Sequence, residues 1–261
     1  MFAVSPDARL LVYETAEEIY VRRFDQLQAT PLRGTEGGHS PFFSPDGEWV
    51  AFFTPTLLKK TPLRGGAPTT VARVANGRSG AWAPNGEIVF DVIGPTGLLA
   101  ISSDGGVPRE ITKLGEDEVD HGHIGGFLPD SQRVTFGSAV GPWDDGTILA
   151  HSLTDGSSTK ILEGGEHGIV TKSGHLVYAR GGSLLAVRID PETLSISRQP
   201  TAVIDDVLYP SDGADPQFSL PRSGNSPTSR PRRGDVSTNW FGSTDPARRR
   251  SYPCRHVRIF R

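Results

Sequence analysis

The chain has 261 residues, 22% of them charged, a formal net charge of −3 and one cysteine, Cys254. This balance excludes a generally basic nucleic-acid binder and an acidic solvating chain, and a lone cysteine excludes an intrachain disulfide framework or a multi-cysteine zinc site. Thirty-one glycines and 21 prolines, spread along the sequence, argue against a helical bundle and for a turn-rich all-β chain.

The N-terminal MFAVSPDARLL has neither the charged segment nor the long apolar run of a signal peptide, and no apolar run approaches the ~18 residues of a membrane span. These features leave the compartment open, with the cytoplasm as the default only. From residue 5 onward one unit recurs, a turn tetrapeptide followed by a short β-rich run. It reads SPDARLLVY at 5–13, SPDGEWVAFF at 44–53, APNGEIVFD at 83–91, LPDSQRVTF at 128–136 and TKSGHLVYA at 171–179. Pro6, Pro45, Pro84, Pro129 and Lys172 stand 39, 39, 45 and 43 residues apart. Between these copies lies a second unit, an apolar run closed by a turn: 19–32, 57–71, 98–112 and 148–162.

Each unit predicts a hairpin. Ser44-Pro45-Asp46-Gly47 suits a type I turn, with proline presetting φ and glycine closing it; Gly47 and Gly86 are expected at positive φ. Trp49, Ala51 and Phe53 alternate with Val50 and Phe52, so that strand is apolar on both faces and predicts burial on both. Two hairpins per repeat of about 40 residues give four strands, and units of this kind bury their faces by radial stacking into a β-propeller. The alternative is a β-sandwich with accidental internal similarity. The fold expected is all-β: a propeller of four-stranded antiparallel blades, about five plus a broken sixth begun by 217–220, and not closed.

The repeated unit resembles the WD40-like repeat of TolB-type propellers. The segments at 26–53, 58–68, 80–90 and 174–190 more closely resemble the propeller region that follows the kinase domain in many bacterial serine/threonine protein kinases. This resemblance covers about 5–220 and implies a non-catalytic binding or sensor module, presenting one rim to a protein, peptide or cell-wall ligand. It departs from the pattern at Thr54-Pro55-Thr56, in place of a tight glycine turn, and at Ala8 and Ser131, in place of the turn glycine.

Catalytic motifs are lacking. No kinase glycine loop, strand lysine, HRD or DFG occurs, and GRSGA at 77–81 and GGSLL at 181–185 each fail the nucleophile-elbow pattern at its last glycine. No P-loop, HExxH or CxxC is present, so no cofactor is expected. The residues leading into the turns, from His39, Ser79, Ile124 and Gly168, show no recurring carboxylate of the kind a propeller lactonase or glycosidase would aim at its axis. A propeller enzyme and a TolB-like periplasmic interaction protein remain the alternatives.

One cluster stands out, Glu116-Asp117-Glu118-Val119-Asp120-His121-Gly122-His123. Asp120, His121 and His123 are candidate ligands for a divalent metal. The competing reading is an exposed, solvated loop, and the resemblance implies a structural histidine there. His39, His151, His167 and His175 read as surface or turn histidines, and Trp49 and Trp82 as core residues at matching repeat positions.

At Leu220 the composition breaks. Residues 221–261 hold ten arginines, no lysine and two aspartates, a net of +8. Read from sequence, this is a disordered basic tail or the product of a shifted reading frame. It lacks the regularly interleaved aromatics of a nucleic-acid binder, so no specific nucleic-acid partner is expected, and unpaired strand edges would favour self-association.

Overall fold

The computed structural model describes residues 1–140, 146–205, 207 and 218–220. Among them are twenty strands in five four-stranded antiparallel sheets and no helix. Accordingly, no helix is long and apolar enough to cross a membrane. Blade one comprises β1 (Phe2–Val4), β2 (Leu10–Glu14), β3 (Ile19–Arg23) and β4 (Ala29–Pro31). Blade two comprises β5 (His39–Phe43), β6 (Trp49–Phe53), β7 (Leu57–Pro62) and β8 (Thr69–Arg73). Blade three is β9 (Gly77–Trp82), β10 (Glu87–Val92), β11 (Leu99–Ser102) and β12 (Arg109–Glu110). Blade four is β13 (Asp120–Phe127), β14 (Arg133–Ala139), β15 (Thr147–Ser152) and β16 (Ser158–Glu163). Blade five is β17 (Glu166–Val170), β18 (His175–Arg180), β19 (Ser183–Arg188) and β20 (Thr201–Ile204).

The repeated turn joins the first two strands of each blade. In blade two Gly47 N donates to Ser44 O at 3.0 Å, while the Ser44 hydroxyl accepts from Trp49 N at 2.9 Å and donates to Asp46. The closing residue is left-handed in all five blades: Ala8, Gly47, Gly86, Ser131 and Gly174. Ala8 and Ser131 thus keep the glycine geometry without being glycine. At Thr54 the missing glycine turn is replaced by a hydroxyl cap, Leu57 N donating to Thr54 Oγ1 at 3.2 Å.

Alternation on β6 feeds two cores at once. Val50 and Phe52 pack with Val12, Ile19 and Leu32 of blade one. Ala51 and Phe53 face blade three, packing with Trp82, Ile88 and Phe90. Blades three and four meet through Val89, Leu98, Ile124 and Phe136; blades four and five meet through Ile148, Ala150, Leu176 and Tyr178. The tryptophans are core residues but not equivalents. Trp49 lies on the second strand of its blade and Trp82 on the first of the next, and they meet through Lys60 Nζ, 5.3 and 5.8 Å from the two rings.

The first strands β1, β5, β9, β13 and β17 succeed one another around the axis. Among the described residues no backbone ladder joins blade five to blade one. Phe218–Leu220 stand between them. Phe218 joins Ile169, Ala179 and Leu184 in a small core and meets the His167 ring edge-on at 4.9 Å, while Val4 N donates to Ser219 Oγ at 3.2 Å. Phe218–Leu220, where the sequence led to the expectation of a sixth repeat, thus form a further segment at the axis. The 221–261 tail lies outside the described residues, as does Gln217.

Candidate functional site

Small residues let the first strands converge. A Cβ on Gly125 would overlap the Gly168 carbonyl oxygen, and one on Gly80 would press into the Phe42 ring. Near their starts these strands bulge: pairing shifts register between His39 and Phe42, opposite Phe90 and Val92, between Gly122 and Gly126, and between Glu166 and Ile169. Ser40, His123 and His167 sit at the bulges with φ of 49°, 51° and 50°. A bulge re-aims the chain, and here it turns polar groups toward one end of the axis.

That end carries a charge network. Asp91, 0% exposed on β10, accepts from Ser79 N at 2.7 Å and Ser79 Oγ at 2.6 Å, and its second oxygen faces Arg78 Nε at 2.5 Å. Arg78 Nη1 reaches across to Asp120 Oδ2 of blade four at 2.7 Å. Burial works against the guanidinium charge, but Asp91 and Asp120 outweigh it and hold the Arg78 pKa above its ordinary value. Ile124 N of blade four donates to Ser79 Oγ at 3.1 Å, tying the seam at backbone level. One seam further on, His123 Nδ1 lies 3.0 Å from Glu166 Oε2, both side chains buried. In blade one, Glu14 accepts from Ser40 N at 2.6 Å.

A second polar chain runs from Thr112. Its hydroxyl accepts from Leu98 N at 2.8 Å and shares a hydrogen bond with His121 Nδ1 at 2.9 Å, while His121 Nε2 pairs with Glu118 Oε2 at 3.0 Å. Glu118 also accepts from Ser138 and from Gly115 N. Burial tends to raise the Glu118 pKa, but these bonds bring it below the ordinary carboxylate value. Hydroxyl, imidazole and carboxylate stand in the order of a nucleophile triad, but the hydroxyl is buried and its oxygen is occupied by a backbone N–H. The arrangement pins the 113–118 loop rather than presenting a nucleophile.

Asp120, His121 and His123 are not in an exposed loop; they lie on β13, with both histidines buried. Burial follows because β13 is an innermost strand with a blade on either side. The three side chains turn to separate partners: Asp120 to Arg78, His121 to Thr112 and Glu118, His123 to Glu166. Among the described residues no group of three or more His, Cys, Asp or Glu is placed to hold a metal ion. His151 and His167 are also buried, contrary to the surface reading.

Carboxylates do open two innermost strands, Asp120 on β13 and Glu166 on β17. They fall outside the segments where recurrence was sought from sequence, because the bulges lengthen the strands toward their starts. Arg78 and Asp91 were missed too. The available signal was Asp91 itself, a charge inside the apolar strand EIVFDV.

Between the six innermost segments lies a cavity of about 110 Å³. Phe2, Phe42, Ile124, Ile169 and Phe218 give it apolar walls; Ser40, Arg78, Ser79 and His167 give it a polar mouth.

No protein-family model matches this chain, and no curated protein matches it in sequence. Solved structures share its fold. A TolB candidate from Agrobacterium tumefaciens superposes with a TM-score of 0.60 at 15% identity, covering 78% of this chain and 79% of that one. An oligogalacturonate lyase in complex with manganese gives 0.58 at 13% identity, covering 75% of this chain. The chain spans only 62% of that enzyme's length. A chain of a nidogen/laminin complex gives 0.60 at 12% identity, covering 83% and 82%. At such identities the likeness is one of fold: a TolB-like β-propeller.

Proposed function

We propose that the chain is a non-catalytic binding module that recognises its ligand at the polar mouth of the central channel. The observation that carries this reading is the internal pairing of the charges there. Arg78 is held by Asp91 and Asp120, and His123 by Glu166, so these groups stiffen the walls instead of waiting as an acid and a base. Rigid rims around a small cavity suit recognition of a peptide, a protein or a cell-wall fragment. The segment resemblance supports a place beside a bacterial serine/threonine kinase as its sensor region, and the TolB likeness supports an interaction role.

A propeller enzyme is the second reading, favoured by Asp120 and Glu166 at the axis and by the fold of the oligogalacturonate lyase. One experiment separates the two. The purified chain is mixed with soluble peptidoglycan fragments, a mixed hexapeptide pool or oligogalacturonate with manganese, and followed by hydrogen exchange and product analysis. Protection of 39–43, 77–82 and 218–220 without product formation is the expected result. Turnover of any of these substrates overturns the binding-module reading.

A further inference from the structure

In four of the five blades, arginines at the end opposite the channel mouth are neutralised within their own blade. Arg9 pairs with Asp7 and Arg23 with Asp25 in blade one, and Arg64 with Glu48 in blade two. Arg109 pairs with Glu87 in blade three and Arg133 with Asp130 in blade four. Blade five departs from this pattern. Arg188, at the end of β19, and Arg198, shortly before β20, are exposed, and among the described residues neither has an ion pair.

Both arginines line one open cleft of about 390 Å³, together with His175, Ala186, Gln199 and Thr201. Register explains the grouping. His175 stands opposite Arg188, and Ala186 opposite Thr201, in the ladders of blade five. On β19, Leu185 and Val187 pack toward blade four, so Ala186 and Arg188 share the other face, along which Leu184 meets Phe218. Ser173 Oγ holds the His175 ring at Nδ1, 3.1 Å away.

The neighbouring carboxylates are turned elsewhere. Asp190 and Glu192 belong to a turn whose Ile189, Leu194 and Ile196 join the core against blade four. Asp190 accepts from Glu192 N and Thr193 N inside that turn, and the Glu192 carbonyl accepts from Arg133 of blade four. Lys172, exposed in the turn before His175, adds charge of the same sign as the arginines. The cleft lining thus offers an anion two guanidiniums, an imidazole, an amide and a hydroxyl, and contains no carboxylate. A single guanidinium satisfies a carboxylate in one bidentate pair. A phosphate monoester carries about −1.5 to −2 charges and three terminal oxygens, which is enough to engage both.

We propose that this cleft binds a phosphate monoester through Arg188 and Arg198, with His175, Gln199 and Thr201 as further hydrogen-bonding groups. The site lies at the opposite end of the blade from the channel mouth and does not depend on the function proposed there.

The test titrates the full chain by calorimetry at pH 7 and low salt. The probes are N-acetyl-phosphothreonine methylamide, glucose 6-phosphate and their unphosphorylated parents. Saturable binding of at least one ester is expected, with its parent at least tenfold weaker and with affinity falling as salt is added. Arg188→Gln, Arg198→Gln and Gln199→Glu should each weaken it at least tenfold. All three side chains are exposed, so the variants should melt with the parent and report on the site rather than the fold. Arg64→Gln removes a paired arginine from the same end of blade two and should leave affinity unchanged. Binding of the phosphothreonine derivative alone supports the site and assigns its ligand to a protein, whereas binding of the sugar phosphate alone supports it and assigns a metabolite. Binding of both supports recognition of the phosphate group itself. No binding of either ester at millimolar concentration, equal binding of the parents, or unchanged affinity in the Arg188 and Arg198 variants overturns the proposal. Inorganic sulfate that binds as tightly as the better ester overturns it too.

Discussion

Arg78 of blade three holds Asp120 of blade four at 2.7 Å, across the seam that also lines the channel mouth. Two carboxylates and one guanidinium are withdrawn from water there, so their stability depends on remaining paired. Removing one partner leaves the others uncompensated.

Asp91→Ala removes the acceptor for Ser79 N, Ser79 Oγ and Arg78 Nε together. The expected cost is about 3–5 kcal/mol, the range for breaking a buried pair. Chemical denaturation of the variant measures it. A loss below about 1 kcal/mol would show that water replaces the pair and that the network is not a structural wall.

The left-handed turn residues give a paired test of opposite sign. Ala8→Gly and Ser131→Gly relieve a conformation disfavoured for residues bearing a Cβ, at φ of 57° and 60°, and each is expected to stabilise by about 0.5–1 kcal/mol. Gly86→Val imposes the same strain at φ 87° and is expected to destabilise by about 1–3 kcal/mol. Melting temperatures that move in the same direction for all three would contradict the shared geometry.

Convergence of the first strands is tested at Gly125, where the obstacle to a side chain is backbone rather than a movable group. Gly125→Ala drives its methyl into the Gly168 carbonyl, which also accepts from Thr135 Oγ1 at 2.5 Å. Blades four and five must separate locally, and a loss of more than about 2 kcal/mol is expected. A variant as stable as the parent would place the two strands farther apart than described.

Acid sensitivity follows from His39 and His151. Burial is the main cause that pulls both below the ordinary histidine value of 6.5. The unfolded chain takes up these protons first, so the stability they contribute is intact above pH 6.5 and lost as pH falls through their folded values. Glu118 adds a second loss below its ordinary 4.5, as the carboxylate held by Ser138, Gly115 N and His121 is protonated. Unfolding free energy measured from pH 8 downward should stay level to about 6.5 and then decline. His151→Gln should flatten the first part of the decline, and an unchanged slope would remove His151 from the account.

What the sequence carried legibly was local. The Ser-Pro-Asp-Gly turn and the two-faced apolar strand at 49–53 each need only neighbouring residues, and repetition at about 40 residues converted them into blades. Asp120, His121 and His123 were illegible as buried groups because their surroundings come from other repeats. Arg78 lies one blade back and Glu166 one blade on, and a glycine-containing acidic stretch has the composition of a solvated loop. The bulges worked in the same direction. An extra residue at Ser40, His123 or His167 breaks the two-residue period that would have marked the strand starts.

The seating of the sixth segment yields the last prediction. Phe218 is buried against Ile169, Ala179 and Leu184 and meets His167 edge-on, while Ser219 accepts from Val4 N. These contacts join blade five to blade one where, among the described residues, no ladder does, so they hold the ring's circumference together at its axis. Phe218→Ala should cost about 3–5 kcal/mol, as truncation of a buried aromatic does, because the blade-five side of the gap loses its filler. Ser219→Ala should cost about 1 kcal/mol, the worth of one hydrogen bond. Hydrogen exchange locates the damage. In Phe218→Ala, faster exchange is expected in β1 and β17 together, with β9 and β13 unchanged on the far side of the channel. Exchange that rises evenly in all five blades would mean that Phe218 only adds to a common core. Exchange that rises nowhere would mean that blades one and five hold their places without the segment.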